Sequence, residues 1–129
     1  MRRLVSEKGL GGAIVVDSAG TGAWHEGQRA DERAQATAIS RGVVLSGRAR
    51  CIRPTDYSRF DVILAVDEQV LTNVQSMAPA DATAALRMFT DSDVPDPYYG
   101  GTEGFNDVFD QIERGCRDLL SEIQHLLAR

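Results

Sequence analysis

The chain has 129 residues, 43% of them hydrophobic and 26% charged, with 19 acidic against 14 basic side chains and a net charge of −5. That length and composition suit one globular domain able to build a core without disulfides or metal, and the negative balance excludes a general binder of nucleic acid or of anionic membrane. The longest aliphatic run, Val62-Ile63-Leu64-Ala65-Val66, is far too short to span a bilayer. The stretch from Met1 to Glu7 has no apolar signal core, so a cytoplasmic location is expected. Cys51 and Cys116 show neither metal-ligand spacing nor a disulfide framework and read as free thiols.

Residues 1–8 have the pattern of the last turns of a helix, with Leu4 and Val5 apolar among charges and Gly9, Gly11 and Gly12 as stop signals. Ala13-Ile14-Val15-Val16-Asp17-Ser18 is a short apolar run ending in polar residues and Gly20, which predicts a buried parallel strand. The loop that follows carries Trp24, the sole tryptophan, and His25. Asp31 is then placed to cap a helix running through Ala38 and Ile39 to Gly42. Pro54 and mixed charges predict an irregular segment from Arg48 to Pro54, after which Thr55 can cap a short turn over Asp56-Tyr57-Ser58. The clearest buried strand is Asp61-Val62-Ile63-Leu64-Ala65-Val66-Asp67, with Asp67 able to cap a helix through Val70, Leu71 and Val74. A weaker strand spans residues 84–89. The long C-terminal segment has apolar residues at 105, 108, 109, 112, 116, 119, 120, 123 and 127, the spacing of an amphipathic helix with Cys116 on its core stripe. His125 falls off that stripe and reads as a surface residue.

Strands alternating with helices predict an α/β fold, three-layered, with a mainly parallel sheet flanked on both faces by helices. Ligands of such folds sit at the carboxyl ends of the strands, where the loops after Ser18, Asp67 and Phe89 are expected to converge. Asp96 belongs to that edge. It stands in Val94-Pro95-Asp96-Pro97-Tyr98-Tyr99-Gly100-Gly101, where Pro97 drives the aspartate away from the helical region onto a stiff loop and the glycines permit a sharp turn.

Several segments, in order, carry a resemblance: Val16-Asp17-Ser18-Ala19-Gly20-Thr21 with Trp24-His25 and Gly27; Asp31-x-Arg33; Ser46-x-x-Ala49-Arg50; Phe60-Asp61-x-Ile63-Leu64 with Asp67-Glu68; and Asp96-Pro97-Tyr98-Tyr99-Gly100 ahead of the last helix. Together they resemble the low-molecular-weight protein tyrosine phosphatases over essentially the whole chain. The resemblance implies hydrolysis of phosphotyrosine, in a phosphoprotein or an aryl phosphate, through a phosphocysteine intermediate and without a cofactor. It implies Asp96 as the general acid that protonates the departing phenolate, and Trp24, Tyr98 and Tyr99 as aromatic walls for the substrate ring. A phenol of pKa about 10 is a poor leaving group unless protonated as it departs, so a placed acid matters there.

The family's nucleophile loop is Cys-x5-Arg, and neither cysteine fits: the residue six positions after Cys51 is Tyr57, and after Cys116 it is Glu122. Gly47-Arg48-Ala49-Arg50 also lacks the histidine often found before the Ala-Arg pair, which weakens a role for Ser18 in holding a phosphate loop. In the family the nucleophile loop lies between the first strand and first helix, so the resemblance implies a single domain, residues 1–129, lacking roughly 20–30 residues: a central strand, the loop and some helical turns. On that expectation the chain as written is inactive. Two alternatives stay open: a phosphatase-derived pseudoenzyme or binding module, and a relative of the arsenate reductases or arginine phosphatases, against which the paired Tyr98-Tyr99 favours an aromatic ester.

Overall fold

A computed structural model describes residues 1–22, 26–96 and 101–128. In chain order the elements are α1 (Arg2–Glu7), α2 (Glu32–Ser40), α3 (Asp56–Arg59), β1 (Val62–Ala65), α4 (Glu68–Met77), β2 (Ala85–Met88) and α5 (Gly101–Leu127). They fall into two compact units. One holds residues 1–17, 30–46 and 96–129; the other holds residues 18–29 and 47–95.

The first unit is helical. α1 and α2 pack on α5, and the shared core is Leu4, Val5, Ala38, Phe105, Cys116 and Leu120. α2 begins where an aspartate can cap it, with Asp31 Oδ1 accepting the Arg33 N–H at 2.8 Å. It ends two residues before Gly42, whose φ of 78° is the left-handed conformation that favours glycine. The amphipathic stripe of α5 is buried at Phe105, Cys116 and Leu120, whereas Ile112 and Leu127 on the same stripe are partly exposed. Charge reinforces the packing. Glu113 of α5 faces Arg117 at 2.9 Å, Arg41 at 3.6 Å and Arg3 at 3.9 Å, and its carboxyl is held below the usual range chiefly by the Arg117 hydrogen bond. Arg33 and Arg41 also lie over the Phe105 and Phe109 rings, at 4.8 and 4.7 Å.

The expected strand over Ala13–Ser18 is corrected by the structure. Among the described residues this stretch belongs to no strand ladder. Ile14 and Val16 are half-buried and Val15 is 71% exposed, so the segment keeps a period of two without a neighbouring strand. The N–H groups of Ala13 and Ile14 turn back to Leu10 O, and the Val16 carbonyl accepts from Arg2 at 3.2 and 2.9 Å. An apolar run signals hydrophobic burial; a strand also needs backbone partners, which composition does not reveal.

The second unit carries the sheet. β1 and β2 pair in parallel with Val62 opposite Ala85 and Ala65 opposite Met88, and α4 packs on both. This is the strand–helix–strand unit that the alternating pattern predicts. Asp67 caps α4 as expected, its Oδ1 accepting the Val70 N–H at 2.7 Å. Tyr57 is 1% exposed, donates its hydroxyl to Val74 O at 2.7 Å, and accepts from the N–H groups of Thr83 and Ala84 at 2.9 Å through its carbonyl. One aromatic residue thus joins α3, α4 and the approach to β2.

Two local expectations change. Thr55 occupies the N-cap position of α3 but makes no capping bond with its side chain; Asp56 instead accepts the Arg53 N–H at 2.8 Å. The stretch around Cys51, expected to be irregular, includes a parallel bridge between Cys51 and Gly20.

Candidate active site

The carboxyl end of the parallel strands is built from both loops that leave it. Phe89 N–H donates to Ala65 O at 2.8 Å, extending the β1–β2 register, and Val94 N–H donates to Val66 O at 2.7 Å. Asp93 Oδ1 accepts the Glu68 N–H at 3.1 Å. The first turn of α4 therefore takes two carboxylates, Asp67 on Val70 N–H and Asp93 on Glu68 N–H. These occupy two of the donors that a helix N-terminus would otherwise offer to an anion. The loop after β2 is fastened to the end of β1 at Val94, two residues before Asp96, which is exposed. Of the other predicted site residues, Trp24, Tyr98 and Tyr99 lie outside the described residues.

A second assembly holds the loop that contains Trp24. Gly20 N–H donates to Arg50 O at 2.8 Å and Ile52 N–H to Gly20 O at 2.8 Å. Seven residues on, Gly27 N–H donates to Ala49 O and Ala49 N–H to Gln28 O, each at 2.7 Å. Gly27 has φ of 83°, so the turn there favours glycine. Arg50 grips Asp56 with both guanidinium nitrogens, at 2.9 and 3.2 Å. Asp56 is 5% exposed, and the Arg50 hydrogen bond, opposed by burial, holds its carboxyl below the usual range. Arg50 stands in the sequence as part of the Ala49-Arg50 motif; the signal for its partner is the opposite charge six positions on, across Pro54.

Cys51 is half-buried in its bridge to Gly20, and Cys116 is buried in the interior of α5. Among the described residues no group of three His, Cys, Asp or Glu side chains could hold a metal ion, and no helix is long and apolar enough to cross a membrane. A shallow hollow of about 300 Å³ in the first unit is lined by Arg2, Val5, Ser6, Gly11 and residues 14–16. Its one charged group, Arg2, is engaged by Val16 O and by Asp17 at 3.7 Å.

Comparison with known proteins decides the family. The model of the low molecular weight phosphotyrosine protein phosphatases matches residues 1–128. The chain belongs to this family. It is 38% identical to the low molecular weight protein-tyrosine-phosphatase of Streptomyces coelicolor, over 95% of this chain and 81% of that protein. The crystal structure of the protein tyrosine phosphatase of Entamoeba histolytica superposes with a TM-score of 0.89 at 30% identity, covering 96% of this chain and 84% of that one. The crystal structure of a Drosophila arginine phosphatase gives 0.87 at 28% identity, covering 95% and 84%. The α/β fold with a parallel sheet flanked by helices is the fold of these phosphatases, and the family's chemistry is phosphoric monoester hydrolysis.

Proposed function

We propose that this chain supplies the acid half of a phosphotyrosine phosphatase site: Asp96 donates a proton to the departing tyrosine phenolate and then takes one from the water that cleaves the phosphocysteine. Trp24, Tyr98 and Tyr99 supply aromatic surface for the substrate ring, which excludes water and favours a phosphotyrosine-containing protein or aryl phosphate. The observation that carries this reading is the 2.7 Å bond from Val94 N–H to Val66 O, which fastens the Asp96 loop at the carboxyl end of β1. That edge is where open parallel sheets bind their ligands. A stiff, fastened loop suits a general acid, whose proton must lie within hydrogen-bond reach of the leaving oxygen.

The nucleophile is neither of the two cysteines. The sequence contains no Cys-x5-Arg, and such a loop is needed to present successive N–H groups and an arginine to the phosphate and to lower the thiol pKa. On this reading the chain as given is expected not to hydrolyse phosphotyrosine by itself. Placed behind a strand–loop–helix segment that contains Cys-x5-Arg, it is expected to hydrolyse aryl phosphates. There Asp96→Asn should slow turnover by at least about tenfold; little change would remove Asp96 from the mechanism. The likeness to an arginine phosphatase supports a second substrate reading, in which the same extended protein prefers phosphoarginine. A side-by-side assay on phosphotyrosine and phosphoarginine decides between them.

A further inference from the structure

Asp96 stands on an arm whose stiffness is written in the sequence. In Val94-Pro95-Asp96-Pro97 each residue is a proline or precedes one. Proline holds its own φ at about −65°, and the residue before it is driven into the extended region, so the arm has almost no hinge of its own. The direction in which it carries Asp96 is therefore decided at its base. Two bonds hold that base. Val94 N–H donates to Val66 O at 2.7 Å, and Asp93 Oδ1 accepts the Glu68 N–H at 3.1 Å. They leave adjacent residues and land on either side of Asp67, one just beyond β1 and the other on the first residue of α4. A single bond would let the chain swing about it; two, placed on opposite sides of one turn, fix direction as well as distance.

We propose that Asp93 is a positioning residue for the general acid: its side chain pins the base of the stiff arm to the N-terminus of α4 and so sets the direction in which residues 94–96 leave the sheet edge. The consequence for catalysis rests on the reading of Asp96 as the acid; the pinning does not. Asp93 is not needed to cap the helix. Asp67 is the N-cap, its Oδ1 holding the Val70 N–H at 2.7 Å and its carbonyl the Leu71 N–H at 3.0 Å. Asp67 and Glu68 already place negative charge at this helix end, so Asp93 acts through its acceptor oxygen more than through its charge. Asparagine keeps such an oxygen and alanine does not. Asp93 is exposed, so neither change disturbs a core.

Amide hydrogen exchange in the full chain reads the pin directly. In Asp93→Ala the Val94 and Glu68 amides should exchange at least about fivefold faster than in the parent, while Val70 and Leu71, held by Asp67, keep their parent rates. Asp93→Asn should return Val94 close to the parent rate. Asp91→Ala, which removes another exposed aspartate of the same loop, should leave it unchanged. An unaltered Val94 rate in Asp93→Ala, or an equal rise in Asp91→Ala, would overturn the proposal. So would faster exchange at Val70 and Leu71 with Val94 still protected, since Asp93 would then be only a helix cap. In the Cys-x5-Arg-extended protein, Asp93→Ala should lower kcat on phosphotyrosine by about threefold or more with KM little changed, and should spare an aryl phosphate with a more acidic phenol. Asp93→Asn should recover most of that loss. If Asp96→Asn is slow on phosphotyrosine but Asp93→Ala is not, or if Asp93→Ala loses equally on both substrates, the positioning role fails. If Asp96→Asn itself turns over phosphotyrosine normally, the acid reading fails instead, and the exchange rates alone decide whether Asp93 pins the arm.

Discussion

Two short non-helical stretches, residues 13–17 and residues 48–52, are similar in length and differ in what satisfies their backbones. The second is stitched by main-chain bonds to residues 20, 27 and 28, and is clamped by a nearly buried carboxylate. The first is folded back at Leu10 and receives a flexible arginine at Val16 O, while Val15 points 71% of its surface to solvent. The first is also much the more apolar. Hydrophobic content therefore does not rank the two; backbone partners and a fixed counter-charge do.

The contrast can be broken by substitution. The largest effect belongs to the core of the second unit: Tyr57→Ala should cost about 3–5 kcal/mol in urea unfolding, as loss of a fully buried aromatic does, while Tyr57→Phe, which loses only the bond to Val74 O, should cost about 1 kcal/mol. Asp56→Asn comes next, at about 1–3 kcal/mol, tempered by the access of Arg50 to water.

The same carboxylate gives a pH signature. Its folded pKa lies below the ordinary value of 3.8, so its contribution is complete above that value and is lost as pH falls through the lowered one. Acid unfolding curves of the parent and Asp56→Asn should be fully separated above about pH 4 and converge as pH falls below it, through the lowered pKa. Parallel curves would show that the pair is not ionised as drawn. The smallest effect belongs to the first stretch: Val15→Ser should change stability by no more than about 0.5 kcal/mol, as exposed positions do. A cost near that of a core substitution would mean that residues 13–17 are packed as a strand after all.

Much of the fold was legible because its signals are local. Asp31 and Asp67 each stand next to the helix they cap, Gly42 follows α2 closely, and β1 and α5 declare themselves by run length and by a three-and-four spacing. The features that escaped depend on distant partners. Arg2 reaches across 14 residues to Val16, Asp93 reaches across 25 to Glu68, and Cys51 bridges to Gly20. Asp56 shows the boundary between the two kinds. It was expected only as part of a short turn capped by Thr55, yet it is the residue on which the Arg48–Ile52 strip is fixed. Asp96 was named from its prolines and its family resemblance; the bond from Val94 to Val66 O, long-range in sequence, is what ties its loop to the sheet edge.

The central claim, that Asp96 gives the leaving group its proton, is tested most directly by leaving-group dependence in the Cys-x5-Arg-extended protein. Phosphotyrosine, whose phenol has a pKa of about 10, needs the proton; an aryl phosphate with a much more acidic phenol does not. Asp96→Asn should slow the first severely and the second much less, steepening the dependence of rate on leaving-group pKa. An equal loss on both substrates, or none on phosphotyrosine, would contradict the assignment.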